Sequence, residues 1–100
     1  MLTNKGLKQI IDTYKERVNS ISLNNGKYLF LGYENSPTWD QIDYVTIDGC
    51  DFIKVPHIDI SHNPKNPIKF HTLITTEFIE GIDIMDEGYE DYRIDPLRLK

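Results

Sequence analysis

The chain predicts an α+β fold: an N-terminal amphipathic helix packed on an antiparallel sheet of about four to six strands built from hairpins. Three observations carry that expectation. Leu7, Ile10, Ile11, Tyr14, Val18 and Ile21 recur at helical spacing. An Asp48-Gly49 pair separates two runs of strand-forming residues. Further short runs rich in Ile, Phe and Tyr follow, punctuated by Pro, Asn and Gly.

The helix is expected over residues 4–21. Its apolar positions form one stripe, and Lys5, Lys8, Asp12, Lys15, Glu16 and Asn19 occupy the other side, with Lys8 and Asp12 one turn apart. Thr3 or Asn4 can cap the start by accepting a backbone N–H bond. Ser22-Leu23-Asn24-Asn25-Gly26 is expected to end it, because Asn and Gly tolerate left-handed geometry. Such a helix cannot bury its stripe alone, so it needs a sheet to lie on.

The strands follow in order. Tyr28 to Tyr33 is a short apolar run, and Pro37 marks residues 34–40 as a loop. Asp43 to Ile47 and Cys50 to Val55 flank the Asp48-Gly49 turn, in a register that sets Asp43 opposite Lys54 and Val45 opposite Phe52. A second hairpin is expected across residues 61–67, with Ile60 facing Ile68, Ile58 facing Phe70, His57 facing His71 and Asp59 facing Lys69. Pro56 is expected to bend the preceding strand. Near the end, Phe78, Ile79, Ile82 and Met85 have helical spacing, but Gly81 would cost a helix ~1 kcal/mol and the Ile-rich run favours strand. Tyr89 to Ile94 reads as a last strand, closed by Pro96.

The 100 residues contain no repeat and no linker, so they make a single domain. No apolar run approaches the ~20 residues that cross a bilayer, and the charged N-terminus is unlike a signal peptide. Cys50 is the only cysteine, which rules out an internal disulfide and a Cys-rich metal site. A soluble, cytoplasmic protein is the expectation. The net charge of −5 is uneven: residues 1–27 carry +3, whereas residues 77–100 set eight carboxylates against three cations. A basic start and an acidic finish can attract each other, or the acidic end can face a basic partner.

Two groups of residues are candidates for function. His57, Asp59 and His71 supply ligand types suited to zinc or iron, but no recognised ligand spacing accompanies them. An ordinary polar sheet face is the stronger reading, and no cofactor is expected. Cys50, next to a tight turn, reads as a packing side chain rather than a nucleophile. Trp39, flanked by Tyr33 and Tyr44, reads as a plug at one end of the core.

The second group is the acidic C-terminal third. Glu80, Asp83, Asp86, Glu87, Glu90 and Asp91 alternate with Tyr89, Tyr92 and isoleucines. A scaffold that orders such carboxylates can occupy a groove built for the phosphates of a nucleic acid, and tyrosines suit protein interfaces. The expected function is therefore a non-enzymatic binding protein that inhibits a partner with a basic surface, such as a nucleic-acid-acting enzyme or a toxin. An anti-defence protein of a phage or mobile element, or an immunity protein, works this way. Direct nucleic-acid binding is disfavoured, because the basic residues of the N-terminal helix are mixed with acids. The alternative is a small metal- or ligand-binding domain, with catalysis as an option, centred on His57, Asp59 and His71.

Overall fold

The computed structural model describes residues 2–34, 36–59 and 65–89, with backbone only at positions 58 and 59. It is α+β, as the sequence predicts: one helix packs on two antiparallel sheets of three strands each. In chain order the elements are α1 (Asn4–Tyr14), β1 (Val18–Leu23), β2 (Tyr28–Phe30), β3 (Asp43–Ile47), β4 (Cys50–Asp59), β5 (Ile68–Thr75) and β6 (Ile79–Ile84). The first sheet runs β2-β1-β6 and the second β3-β4-β5. Among the described residues no helix is long and apolar enough to cross a membrane.

Helix α1 starts as expected. Thr3 is its N-cap, with Oγ1 accepting from the Gly6 N–H at 3.2 Å. Lys8 and Asp12 form an ion pair at 2.6 Å on the exposed side, while Leu7 and Ile11 are fully buried.

The helix ends much earlier than expected. Lys15 adopts φ 51°, ψ −122°, which no α-helix can continue, and a single 3-10 turn over Lys15–Arg17 leads straight into β1. Val18 and Ile21 are therefore strand residues. Asn24-Asn25-Gly26 closes the β1–β2 hairpin rather than a helix, with the Gly26 N–H donating to the Leu23 carbonyl.

The β3–β4 hairpin is paired as the sequence predicts: Asp43 faces Lys54, Val45 faces Phe52 and Ile47 faces Cys50. Asp48 and Gly49 both take positive φ, as the type of turn that joins twisted strands requires. Beyond it, β4 does not bend at Pro56. It continues to Asp59, and β3 has already ended, so among the described residues one edge of β4 is open at Pro56 and the missing N–H is tolerated.

The β4–β5 register is one residue away from the expected one. His57 faces Phe70, Pro56 faces His71, Ile58 faces Lys69 and Asp59 faces Ile68. Adjacent positions on a strand point to opposite faces, so this shift moves His71 to the face opposite His57. β6 is a strand, as favoured over the helix. It runs through Glu80-Gly81 without turning, with a register shift there against β1.

The two sheets and the helix enclose one core of Leu7, Ile11, Val18, Ile21, Leu29, Leu31, Ile42, Ile53 and Val55. Trp39 is half-buried and packs against this cluster, at the rim of the core rather than inside it.

Candidate acidic interface

The C-terminal sheet strand owes its position to two small residues and one clamp. Ser22 and Gly81 lie across from each other where β1 and β6 meet, and a Cβ on Gly81 would come within 2.9 Å of Ser22 Oγ. Glycine therefore permits the close approach. At the far end, Arg17 holds the strand twice: its carbonyl accepts from the Met85 N–H at 2.7 Å, and its Nε donates to the Met85 carbonyl at 2.9 Å. Between them Ser20 Oγ, itself buried, donates to Asp83 Oδ2 at 2.8 Å and orients that carboxylate.

The segment so held is acidic and outward-facing. Glu77, Glu80, Asp83, Asp86 and Glu87 are all exposed, and residues 77–89 contain no Lys, Arg or His. Tyr89, 56% exposed, follows a turn in which its N–H donates to the Asp86 carbonyl at 3.2 Å. The structure thus brings Glu80, Asp83, Asp86, Glu87 and Tyr89 onto β6 and the turn after it. Glu90, Asp91 and Tyr92, and the strand expected over residues 89–94, lie outside the described residues.

Sequence reasoning missed the neighbour of this surface. A shallow groove of about 540 Å³ runs between α1 and β6, lined by Leu2, Ile10 and Tyr14 on one side and by Ile79, Glu80, Gly81, Ile82 and Ile84 on the other. The helix covers the inner part of β6 only partly, so these isoleucines are half-buried. The signal was present in the sequence: Ile10 and Tyr14 belong to the helical stripe, yet the buried core takes only Leu7 and Ile11 from α1.

The histidine group is separated by the register. His57 stacks on Phe70, with ring centroids 5.4 Å apart, and His71 projects from the other face opposite Pro56. Asp59 lies across from Ile68, and Lys69 across from Ile58, so the expected Asp59–Lys69 pairing is absent too. Two imidazoles on opposite faces cannot share one tetrahedral ion. Among the described residues no three metal-ligating side chains cluster.

Cys50 is exposed, not packed. It lines a cleft of about 350 Å³ with Leu2, Thr3, Asp51, Thr75 and Glu77 at the start of α1. His57 is seven residues along the same strand, about 23 Å away at strand spacing. His71, opposite Pro56, is comparably distant, so among the described residues no imidazole can activate this thiol.

Among the described residues one ionisable group has a clearly shifted equilibrium. The Tyr44 hydroxyl is buried with no hydrogen-bond partner among the described residues, and burial, followed by the nearby Asp12 carboxylate, pushes its pKa up to about 12. Lys8 lies over its ring at 5.9 Å. A phenol held neutral this firmly is a structural group and no general base at neutral pH.

Comparison of the chain with protein-family models, with curated proteins and with solved structures finds no match.

Proposed function

We propose that the protein is a non-enzymatic binding protein that sets the acidic surface of β6 and its following turn against a basic surface of another protein and blocks it. The observation that carries this reading is the run Glu77, Glu80, Asp83, Asp86 and Glu87, all exposed and with no cation inside residues 77–89. A surface carboxylate row usually includes neutralising lysines, as mixed-sign surfaces do. Here β6, the turn before it and the turn after it contribute carboxylates and no cation of their own, with Tyr89 as an exposed aromatic at the end. A groove that evolved to hold phosphates would accept this arrangement, which makes nucleic-acid-acting enzymes and toxins the partner class.

The test is binding to a panel of basic nucleases and toxins across ionic strength. Docking through this surface predicts affinity that falls steeply as salt rises. Glu80→Lys, Asp86→Lys and Glu87→Lys together should cut the affinity by about tenfold or more while leaving the thermal transition in place. Binding that ignores both salt and charge reversal would overturn the reading.

A further inference from the structure

We infer that the groove between α1 and β6 receives an extended segment of the partner, added as a strand on the open edge of β6, with apolar residues alternating with Lys or Arg. The inference rests on the acidic-surface reading above and specifies how that surface engages.

Three features point to it. First, β6 is the outer strand of the β2-β1-β6 sheet, so among the described residues no strand pairs with its far edge. An unpaired edge offers N–H and C=O groups to an incoming backbone. Second, the groove continues the core face of the sheet. Ile79, Ile82 and Ile84 line it from the strand side, and Ile10 and Tyr14 from the helix side. An added strand would place every second side chain against these residues, because side chains alternate between faces. Third, the intervening side chains would lie beside carboxylates. Asp83, held by Ser20, is on the face away from the helix, and exposed Glu80, at the register shift, lines the groove itself at the end of the regular edge. Alternation of apolar and basic side chains is what this combination of pocket and charge complements.

The extent of pairing is limited at both ends. The register shift at Glu80 interrupts regular geometry there, and Arg17, over the Tyr14 ring at 5.6 Å and bonded to the Met85 carbonyl, closes the other end. That leaves Gly81–Ile84 as the regular edge, suited to a short segment. Among the described residues β5 also has an open edge, but it carries Lys69, which repels a basic strand.

The experiment uses the intact chain and four labelled hexapeptides. One alternates Lys and Val. A second has the same composition in two blocks, a third is the alternating peptide N-methylated at every second amide, and a fourth alternates Ser and Val. Anisotropy gives affinities at low and high salt, amide NMR shifts give the location, and sedimentation gives the oligomeric state. The expected result is that the alternating Lys/Val peptide binds about tenfold or more tighter than the blocked and methylated ones, with shifts centred on Gly81–Ile84 and Ile10.

Equal affinity for the first three peptides would overturn strand addition and leave the acidic-surface reading standing. Equal, salt-insensitive affinity for the Ser/Val peptide would remove the electrostatic reading and with it the basic part of this inference. Absence of binding by every peptide, shifts centred on β5, or a dimer of this chain that peptide does not disperse would each overturn the inference.

Discussion

Asp51, on the second strand of the β3–β4 hairpin, accepts a hydrogen bond from the backbone N–H of Asn4 at 2.9 Å. Its other oxygen accepts from Thr46 Oγ1 at 2.9 Å, and Asn4 Nδ2 donates to the Val45 carbonyl at 2.9 Å. The start of α1 is thus fastened to the second sheet, while the body of the helix also borders β6 of the first.

Asp51→Ala should accordingly destabilise the protein by about 1–2 kcal/mol, since a free helix N–H and a hydroxyl lose their acceptor together. Asp51→Asn, which keeps one acceptor oxygen, should cost less. Urea unfolding of both variants checks the order, and an Asp51→Ala midpoint equal to wild type would refute the role.

Lys15 occupies a backbone region that favours glycine. Lys15→Gly should raise stability by about 1 kcal/mol by relieving that strain, against the usual cost of adding a glycine. Lys15→Val should lower it. A glycine variant less stable than wild type in the same urea titration would mean that the turn carries no strain.

At Gly81 the steric argument has a specific partner. Gly81→Ala should cost about 1–2 kcal/mol, because the new methyl meets Ser22 Oγ at 2.9 Å. Ser22→Ala in the same chain should recover most of that loss, since among the described residues, chain neighbours aside, no other heavy atom lies within 4 Å of the added carbon. A double-mutant cycle measures the coupling, and strictly additive losses would count against the contact.

Tyr44 predicts an alkaline response of stated sign. Its pKa is near 12 in the folded protein and near 10 when unfolded, so between those values the unfolded chain has released a proton that the folded one keeps. Stability is fully present below about pH 10 and falls as pH rises towards 12. Tyr44→Phe removes both this dependence and an unpaired buried hydroxyl. It should be as stable as wild type or more so at pH 7, and less sensitive between about pH 10 and 12. An unchanged pH profile in the variant would assign the alkaline loss elsewhere.

How far the sequence could be read depended on what fixed each register. The β3–β4 hairpin was legible to the residue because a two-residue Asp-Gly turn leaves the strands no freedom to slide. The β4–β5 hairpin was legible only as a hairpin. A longer connection with two prolines sets no register, and matching Ile with Ile and His with His chose the wrong one by one position. The helix was half legible. In β1, Val18, Ser20 and Ile21 are all buried, because a register shift between Val18 and Ser20 breaks the alternation of the strand. Val18 and Ile21 are then three apart on the buried side, which imitates a helical stripe. Of the candidate surface, the charge was visible in the sequence, but the groove beside it required knowing that α1 stops at Tyr14 and leaves Ile10 and Tyr14 facing β6 across a gap.

The position of β6 also sets an order of events. β1 is the middle strand of its sheet, and one of its two neighbours comes from residues 79–84, after the whole of the second sheet. During synthesis, β1 leaves the ribosome well before β6, with one edge that among the described residues only β6 pairs. Val18 has to wait for Ile84. Local pairings can form quickly, but the joint that completes the first sheet is the most distant strand pairing among the described residues, and distant joints are slow. A chain interrupted before residue 84 would be left as one finished hairpin layer and one open, sticky half, so the acidic strand is also the latch that ends the nascent protein's period of exposure.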